Sequence, residues 1–458
     1  MFDLRPIFSV LGLFIVALGL MMSLPAFADA VSANEEWRAF VASMFLTLMA
    51  GGAMIAIGGG KRGERLSIQQ TFLLTVGAWL LLPLFGALPF IMGAAELSFT
   101  NAFFEAMSGI TTTGATVLEG LDEMAPGTLL WRGLLQWIGG LGIVVVAIAI
   151  LPELKVGGMQ LFKSEAFDTF GKILPQAASI AAQLTLIYVM LTFLAILVYA
   201  AAGMMPFDAL VHAMTTIATG GLANYDESFG IYSNPVIHYA AAAFMFLSAL
   251  PYVRFVQLAN GAARPLFRDT QIRAFAALAA IVVLTLTVQQ WQLTEELESS
   301  FRAALFNVVS ILTGTGYATE DFGLWGPFAM MVFFLIALIG GCAGSTSCSV
   351  KVFRYQVLAA AVRTQINLIH NPSSVRRTLY EGRPVSDAVL SSVMAFFMLF
   401  FVSLGLVTIA LSLAGLDLIT ALTGAVACQC RDQIEPRKAE RDCHQPQRHE
   451  KQHEKCHH

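Results

Sequence analysis

The sequence predicts an all-α integral membrane protein built from pseudo-fourfold repeats. Only 13% of its 458 residues are charged, about half the roughly 25% typical of soluble domains. Several apolar runs exceed the ~20 residues that a helix needs to cross a hydrocarbon core. A short helix-like stretch ending in Thr-Gly also recurs, at a period of about 100 residues, which marks an internal repeat. The net charge of −4 points to neither nucleic acid nor an acidic substrate. In a membrane chain the position of charge matters more than its sum.

Apolar length places spans near 7–29, 40–59, 71–93, 128–152, 179–202, 235–258, 272–290, 328–350 and 385–413. The first ends near Ala28-Asp29-Ala30, which resembles a signal cleavage site. Its leading segment carries only Arg5 beside Asp3, and its apolar core is long for a signal, so a retained helix is expected. The polar connections alternate in sign. Lys61/Arg62/Arg65, Lys155/Lys163/Lys172, Arg254/Arg264/Arg268/Arg273 and Lys351/Arg354/Arg363/Arg376/Arg377/Arg383 form a basic set. Glu119/Asp122/Glu123, Asp226/Glu227, Glu295/Glu296/Glu298 and Glu320/Asp321 form an acidic set. The positive-inside rule puts the basic set and the N-terminus in the cytoplasm. Acidic outer mouths also raise the local cation concentration modestly.

Three outward connections carry the repeated motif: LSFTNAFFEAMSGITTTGAT (97–116), MPFDALVHAMTTIATGGLANYD (205–226) and SSFRAALFNVVSILTGTGYATEDFG (299–323). Aligned on Thr113-Gly114, Thr219-Gly220 and Thr315-Gly316, they bring Ala102, Asp208 and Ala304 into register. The same register aligns Ser108, Met214 and Ser310. Each helical stretch is too short to span and reads as re-entrant. One Thr-Gly is an ordinary turn after a helix. Three at matching positions, on one side of the membrane, point to a backbone-lined ion path. A dehydrated cation needs a cage of oxygens, which carbonyls supply. Glycine adopts the backbone angles that such a cage demands. Irregular backbone at membrane depth is tolerable where it lines a cavity.

On these residues the chain resembles the Trk/Ktr/HKT superfamily of potassium transporters, and within it the TrkH-type subunit. WRGLLQWIGGLGIVVVAIAILPELKVGGMQLFKSE (131–165), LANYDESFG (222–230), GYATEDFG (316–323) and GGCAGSTSCSVKVFR (340–354) extend the resemblance over residues 1–427. The resemblance implies K⁺ as the transported ion, on a filter of Thr112, Thr113 and Gly114; Ala218, Thr219 and Gly220; and Gly314, Thr315 and Gly316. It implies a gating loop of Gly340, Gly341, Cys342, Ala343, Gly344, Ser345, Thr346 and Ser347. Gly and Ser clustered in an apolar span break a helix in any case. It further implies a homodimer, a cytoplasmic nucleotide-binding regulatory subunit of the TrkA type, a multi-pass location in the bacterial inner membrane, and no organic cofactor on this chain.

The expected organisation is a two-helix extension (1–66), repeats at 67–172, 173–270 and 271–384, a partial fourth repeat (385–427), and an aberrant tail (428–458). AGLDLITALTGAVA (414–427) begins the fourth repeat, with Asp417 placed like Asp208. Residues 429–458 then hold seven Lys/Arg, six Asp/Glu and five His, with no Gly, Phe, Leu or Val. Each charge at a bilayer centre costs roughly 2.5–3.5 kcal/mol, so this tail cannot span and should be disordered and solvated. A disrupted reading frame, a metal-binding tail, or a fourth wall drawn from another chain would each account for it. Its Cys and His spacing fits no standard zinc pattern, so no zinc site is assigned. Transport by the chain as written is therefore expected to be weak, unselective or absent. Cys342 and Cys348 read as inert thiols. A secondary transporter of another solute would need charges near the midplane, and the spans hold almost none. A non-conducting or regulatory membrane subunit is the other alternative. No nucleophile–base set or phosphate loop suggests an enzyme.

Overall fold

A computed structural model of the chain describes residues 3–59, 67–145, 177–373 and 377–429. The basic residues at 61–65, 155–172 and 376, the end of the 131–165 motif and the tail from 430 lie outside them. The regular structure among the described residues is helical apart from two short two-stranded ladders. Among the described residues six helices are long and apolar enough to cross a membrane, and a bent pair would make a seventh. Phe193, Leu197, Leu284, Phe401 and Leu406 stand exposed on them, as lipid-facing side chains do. The chain is a multi-pass membrane protein.

The N-terminal unit pairs Arg5–Met21 and Ser23–Val31 with Trp37–Ile57. Gly12 and Gly51 face each other there; a Cβ on Gly12 would lie 2.7 Å from the Gly51 carbonyl oxygen. The close approach is the small-residue packing used where lipid supplies no hydrophobic drive. This pair covers the first repeat through Leu18, Met22 and Phe40, which pack with Ala102, Ile110 and Trp131.

Each of the first three repeats is a span, a short helix and a second helix, and the described part of the fourth is a span and a short helix. The short helices are Phe99–Ile110, Pro206–Ile217, Leu297–Thr313 and Leu418–Gln429. Three of them have 12 residues and reach only ~18 Å, and the 17 of Leu297–Thr313 reach about 25 Å, short of the ~30 Å core. Ser98 caps the first of them and Asp417 the last. The bonds from Thr420 hold the Asp417 carboxyl below the usual carboxylate range. The largest core cluster lies between the second and third repeats, on Tyr199, Ile217, Phe229, Phe306 and Tyr317.

Two expected spans are not continuous helices. The span at 235–258 is Pro235–Ser248 and Tyr252–Ala259, bent by 95°. Pro251 sits at the break and brings no N–H to a helix ladder. The groups freed there are satisfied across the fold, with Cys342 N donating to Ala249 O (2.9 Å) and Tyr252 N to Gly344 O (3.0 Å). The span at 328–350 stops after Pro327–Ala337 and becomes the irregular loop expected of a broken helix. One helix goes beyond the expected spans. Val352–His370, read in the sequence as part of a basic connection, buries Phe353, Val357 and Ala361 on one face. Arg354 is buried on that face too, its guanidinium 3.6 Å from the Phe396 ring centroid.

Candidate functional site

The three Thr-Gly segments leave their helices by the same backbone route. Thr112, Thr219 and Gly314 have φ of +57°, +50° and +73°, and Gly114, Gly221 and Gly316 have +77°, +81° and +88°. Left-handed geometry thus recurs on either side of Thr113, Gly220 and Thr315. The hydrogen bonds keep the same register: Thr113 N to Ser108 O (2.7 Å), Gly220 N to Thr215 O (2.8 Å) and Thr315 N to Ser310 O (2.9 Å). The second segment is therefore shifted by one residue from the alignment on Thr-Gly. Thr219, Gly220 and Gly221 match Thr112–Gly114 and Gly314–Gly316, and Ala218 falls one position too early. The corrected register aligns Ala102, Ala209 and Ala304, all fully buried. It also aligns the hydroxyls of Ser108, Thr215 and Ser310 in place of Met214.

Side-chain oxygens hold the turns of the first and third segments, and in the second Thr219 Oγ1 donates to Ala218 O (2.7 Å). Ser108 Oγ donates to Ala115 O (2.5 Å) and Ser310 Oγ to Tyr317 O (2.7 Å). Thr111 and Thr113 hydroxyls lie 2.7 Å apart, and those of Thr313 and Thr315 2.8 Å. A left-handed non-glycine residue costs about 1–2 kcal/mol, so Thr112 and Thr219 need such support. Both are buried.

The segments meet backbone to backbone. A methyl group on Gly114 would collide with the Gly220 carbonyl oxygen, and one on Gly221 with that of Thr315. Glycine at these two places is a packing requirement as well as a conformational one. Gly139 and Gly140 let the helix Pro126–Val145 close on the ends of two short helices, against Ile110 and Ala218. The arrangement sets backbone carbonyls of three segments beside one another where three helices end. Helix C-termini carry partial negative charge, so the cluster suits a cation.

The loop at 340–347 is buried throughout and ties to the same place. Thr346 Oγ1 is placed to donate to Ile217 O (3.2 Å) or Ser248 O (3.1 Å). Gly341 N donates to Ser347 Oγ (2.8 Å), Ser345 Oγ to Cys342 O (2.7 Å) and Ala343 N to Gln271 Oε1 (3.0 Å). Lys351 Nζ donates to Ser347 O. Parallel pairing of Ile339–Gly340 with Val350–Lys351 closes the loop at its base. Cys348 Sγ lies 3.9 Å from Thr313 O. A cavity of about 370 Å³ is lined by Thr113, Gly314, Gly316, Cys348, Thr423 and Val426 among others. It brings the Thr-Gly segments of the first and third repeats next to the short helix of the fourth.

Sequence reasoning missed the polar groups behind these segments. Arg132 and Glu105 form a buried pair (2.8 Å), and Gln136 Oε1 accepts from Leu222 N (3.1 Å). Partners so far apart in the chain leave no local pattern; the one available signal is a charge inside an apolar span.

Comparison with known proteins gives concordant matches. A TrkH family profile, described as a cation transport protein, matches residues 38–430. The chain is 40% identical over 423 residues to the Trk system potassium uptake protein TrkI of Halomonas elongata, covering 92% of this chain and 85% of that one. It is 34% identical to TrkH of Escherichia coli K12, covering 92% and 89%. Its structure resembles that of the potassium transporter TrkH from Vibrio parahaemolyticus, with a TM-score of 0.85 at 30% identity, over 93% of this chain and 89% of that one.

Proposed function

Because this chain belongs to the TrkH family of cation transport proteins, we propose that it takes up potassium as the translocating membrane subunit of a Trk-type system. The observation that carries the mechanism is the contact of Gly114 with Gly220 and of Gly221 with Thr315. Carbonyls brought together in this way can replace the hydration shell of K⁺. The filter residues are then Thr112–Gly114, Thr219–Gly221 and Gly314–Gly316, with the hydroxyls of Thr113 and Thr315 as further oxygen ligands. Members of this family move ions and are not enzymes.

The loop Gly340–Ser347 is the gate in this reading. Its support is its burial and its bond to Ile217, at the end of a short helix beside the filter. An ion leaving the filter toward the cytoplasm meets this loop, which has to shift to let it pass. The protein sits in the inner membrane with its N-terminus cytoplasmic, which the distribution of basic residues favours. It works as a homodimer with a nucleotide-binding TrkA-type subunit on the cytoplasmic face, where Arg264, Arg268, Arg363 and Arg377 offer basic docking groups. The fourth repeat follows the common plan through Gln429, and the family match extends to residue 430; this reading therefore takes the chain to transport K⁺, in place of the weak, unselective or absent transport expected from the composition of its tail.

Expression in a strain lacking its own potassium uptake tests this function. Faster growth at limiting K⁺ than with an empty vector is expected. Growth equal to the vector control, with the protein present in the membrane, would overturn it.

A further inference from the structure

Behind the filter, polar side chains tie the short helices to the strands that leave the filter. In the first repeat Glu105, eight residues before Thr113, is fully enclosed. Its carboxylate accepts from Thr116 Oγ1 and from Val117 N, each at 3.0 Å. Arg132 pairs with it and donates to Ala223 O at 2.9 Å, so the same cluster also holds the outgoing strand of the second repeat. Asn307 occupies the Glu105 position in the third repeat. It donates to Thr319 Oγ1 (3.0 Å) and accepts from Thr319 N (3.4 Å). His212, at that position in the second repeat, bonds back to Asp208 O. There Asp208, one turn earlier, accepts from Asn224 Nδ2 and Tyr225 Oη, both at 2.8 Å.

These bonds converge on equivalent places. Thr116, Asn224 and Thr319 lie three or four residues beyond Thr113, Gly220 and Thr315. Helix packing alone gives no reason for this. An apolar pair would fill the volume of Glu105 and Arg132 without desolvating two charges, and such replacements are often neutral or stabilising. A carbonyl cage is different, because it discriminates ions by the number and placement of its oxygens. Each brace fixes one outgoing strand, and through it the placement of the carbonyls in that segment.

We propose that Glu105 with Arg132, Asp208 and Asn307 are positioning residues for ion selection, one brace in each of the first three repeats, acting through the filter backbone without touching the ion. This rests on the filter reading above. The test is uptake of radiolabelled Rb⁺ into proteoliposomes holding E105Q, R132K or N307A, with Na⁺ as competitor and flux scaled to inserted protein. The exposed pair Arg38–Glu35 supplies R38Q as a control. Each brace variant is expected to raise half-saturating Rb⁺ several-fold and to let Na⁺ compete at several-fold lower concentration, with R38Q unchanged. N307A leaves no buried charge uncompensated, so it carries the test if R132K fails to insert. Brace variants whose Rb⁺ affinity and Na⁺ competition match the parent, even with lower maximal flux, would overturn the proposal. Absence of Rb⁺ uptake by the parent would overturn the filter reading itself, and this proposal with it.

Discussion

At residue 221 two demands fall on one glycine. Its φ is +81°, and a methyl group there would meet the Thr315 carbonyl oxygen. Gly316 shares the left-handed angle, at +88°, but the space around its missing Cβ is open. An alanine at 316 therefore carries only the conformational cost of about 1–2 kcal/mol. At 221 it must also displace a filter carbonyl. G221A should lower Rb⁺ uptake more than tenfold, and G316A only a few-fold at equal protein in the membrane. Equal losses in both would contradict the collision argument. The first and third segments were legible from Thr-Gly. The second was not, because Thr219-Gly220-Gly221 offers two candidate pairs and the wrong one has the threonine. The hydroxyls of Ser108, Thr215 and Ser310 are the better guide, since each stands five residues before its filter centre. The Glu105–Arg132 pair was beyond local reading, since it joins residues from different elements. Breaking such a buried pair costs about 3–5 kcal/mol.

Among the elements, short helices and broken helices do the positioning. The short helices were readable from their length between apolar runs. The loop Gly340–Ser347 was readable from Gly and Ser in an apolar span. Its partners were not: the break at Ala249–Pro251 exists because the loop supplies Cys342 N and Gly344 O to it. Two expected outcomes follow for this loop. Deleting residues 342–347 should raise ion leak. Thr346→Val keeps the volume but loses the hydroxyl bond toward Ile217 and Ser248, and should raise basal flux by a smaller factor. Flux at the parent level in both variants, measured in proteoliposomes, would show that the loop does not gate. Val352–His370 escaped the sequence reading because its arginines matched a cytoplasmic connection, while Arg354 in fact lies buried against Phe396.

Across the whole molecule, the repeats are stapled through the loops that follow the Thr-Gly segments. Asp226 accepts from Gly120 N (3.0 Å) and Leu121 N (3.1 Å), joining the first two repeats. Phe229 N donates to Ala318 O (3.0 Å), joining the second to the third. Membrane class and repeat plan were legible because hydropathy and a recurring motif report them directly. The staples were not, since each depends on how one repeat turns toward the next. In the proposed function these joined segments select potassium. The most direct measurement is radiolabelled Rb⁺ uptake by the purified chain in proteoliposomes, with K⁺ and Na⁺ as competitors. K⁺ should suppress uptake at far lower concentration than Na⁺, and G221A should remove the uptake. Equal competition by the two ions, or uptake indifferent to G221A, would contradict it.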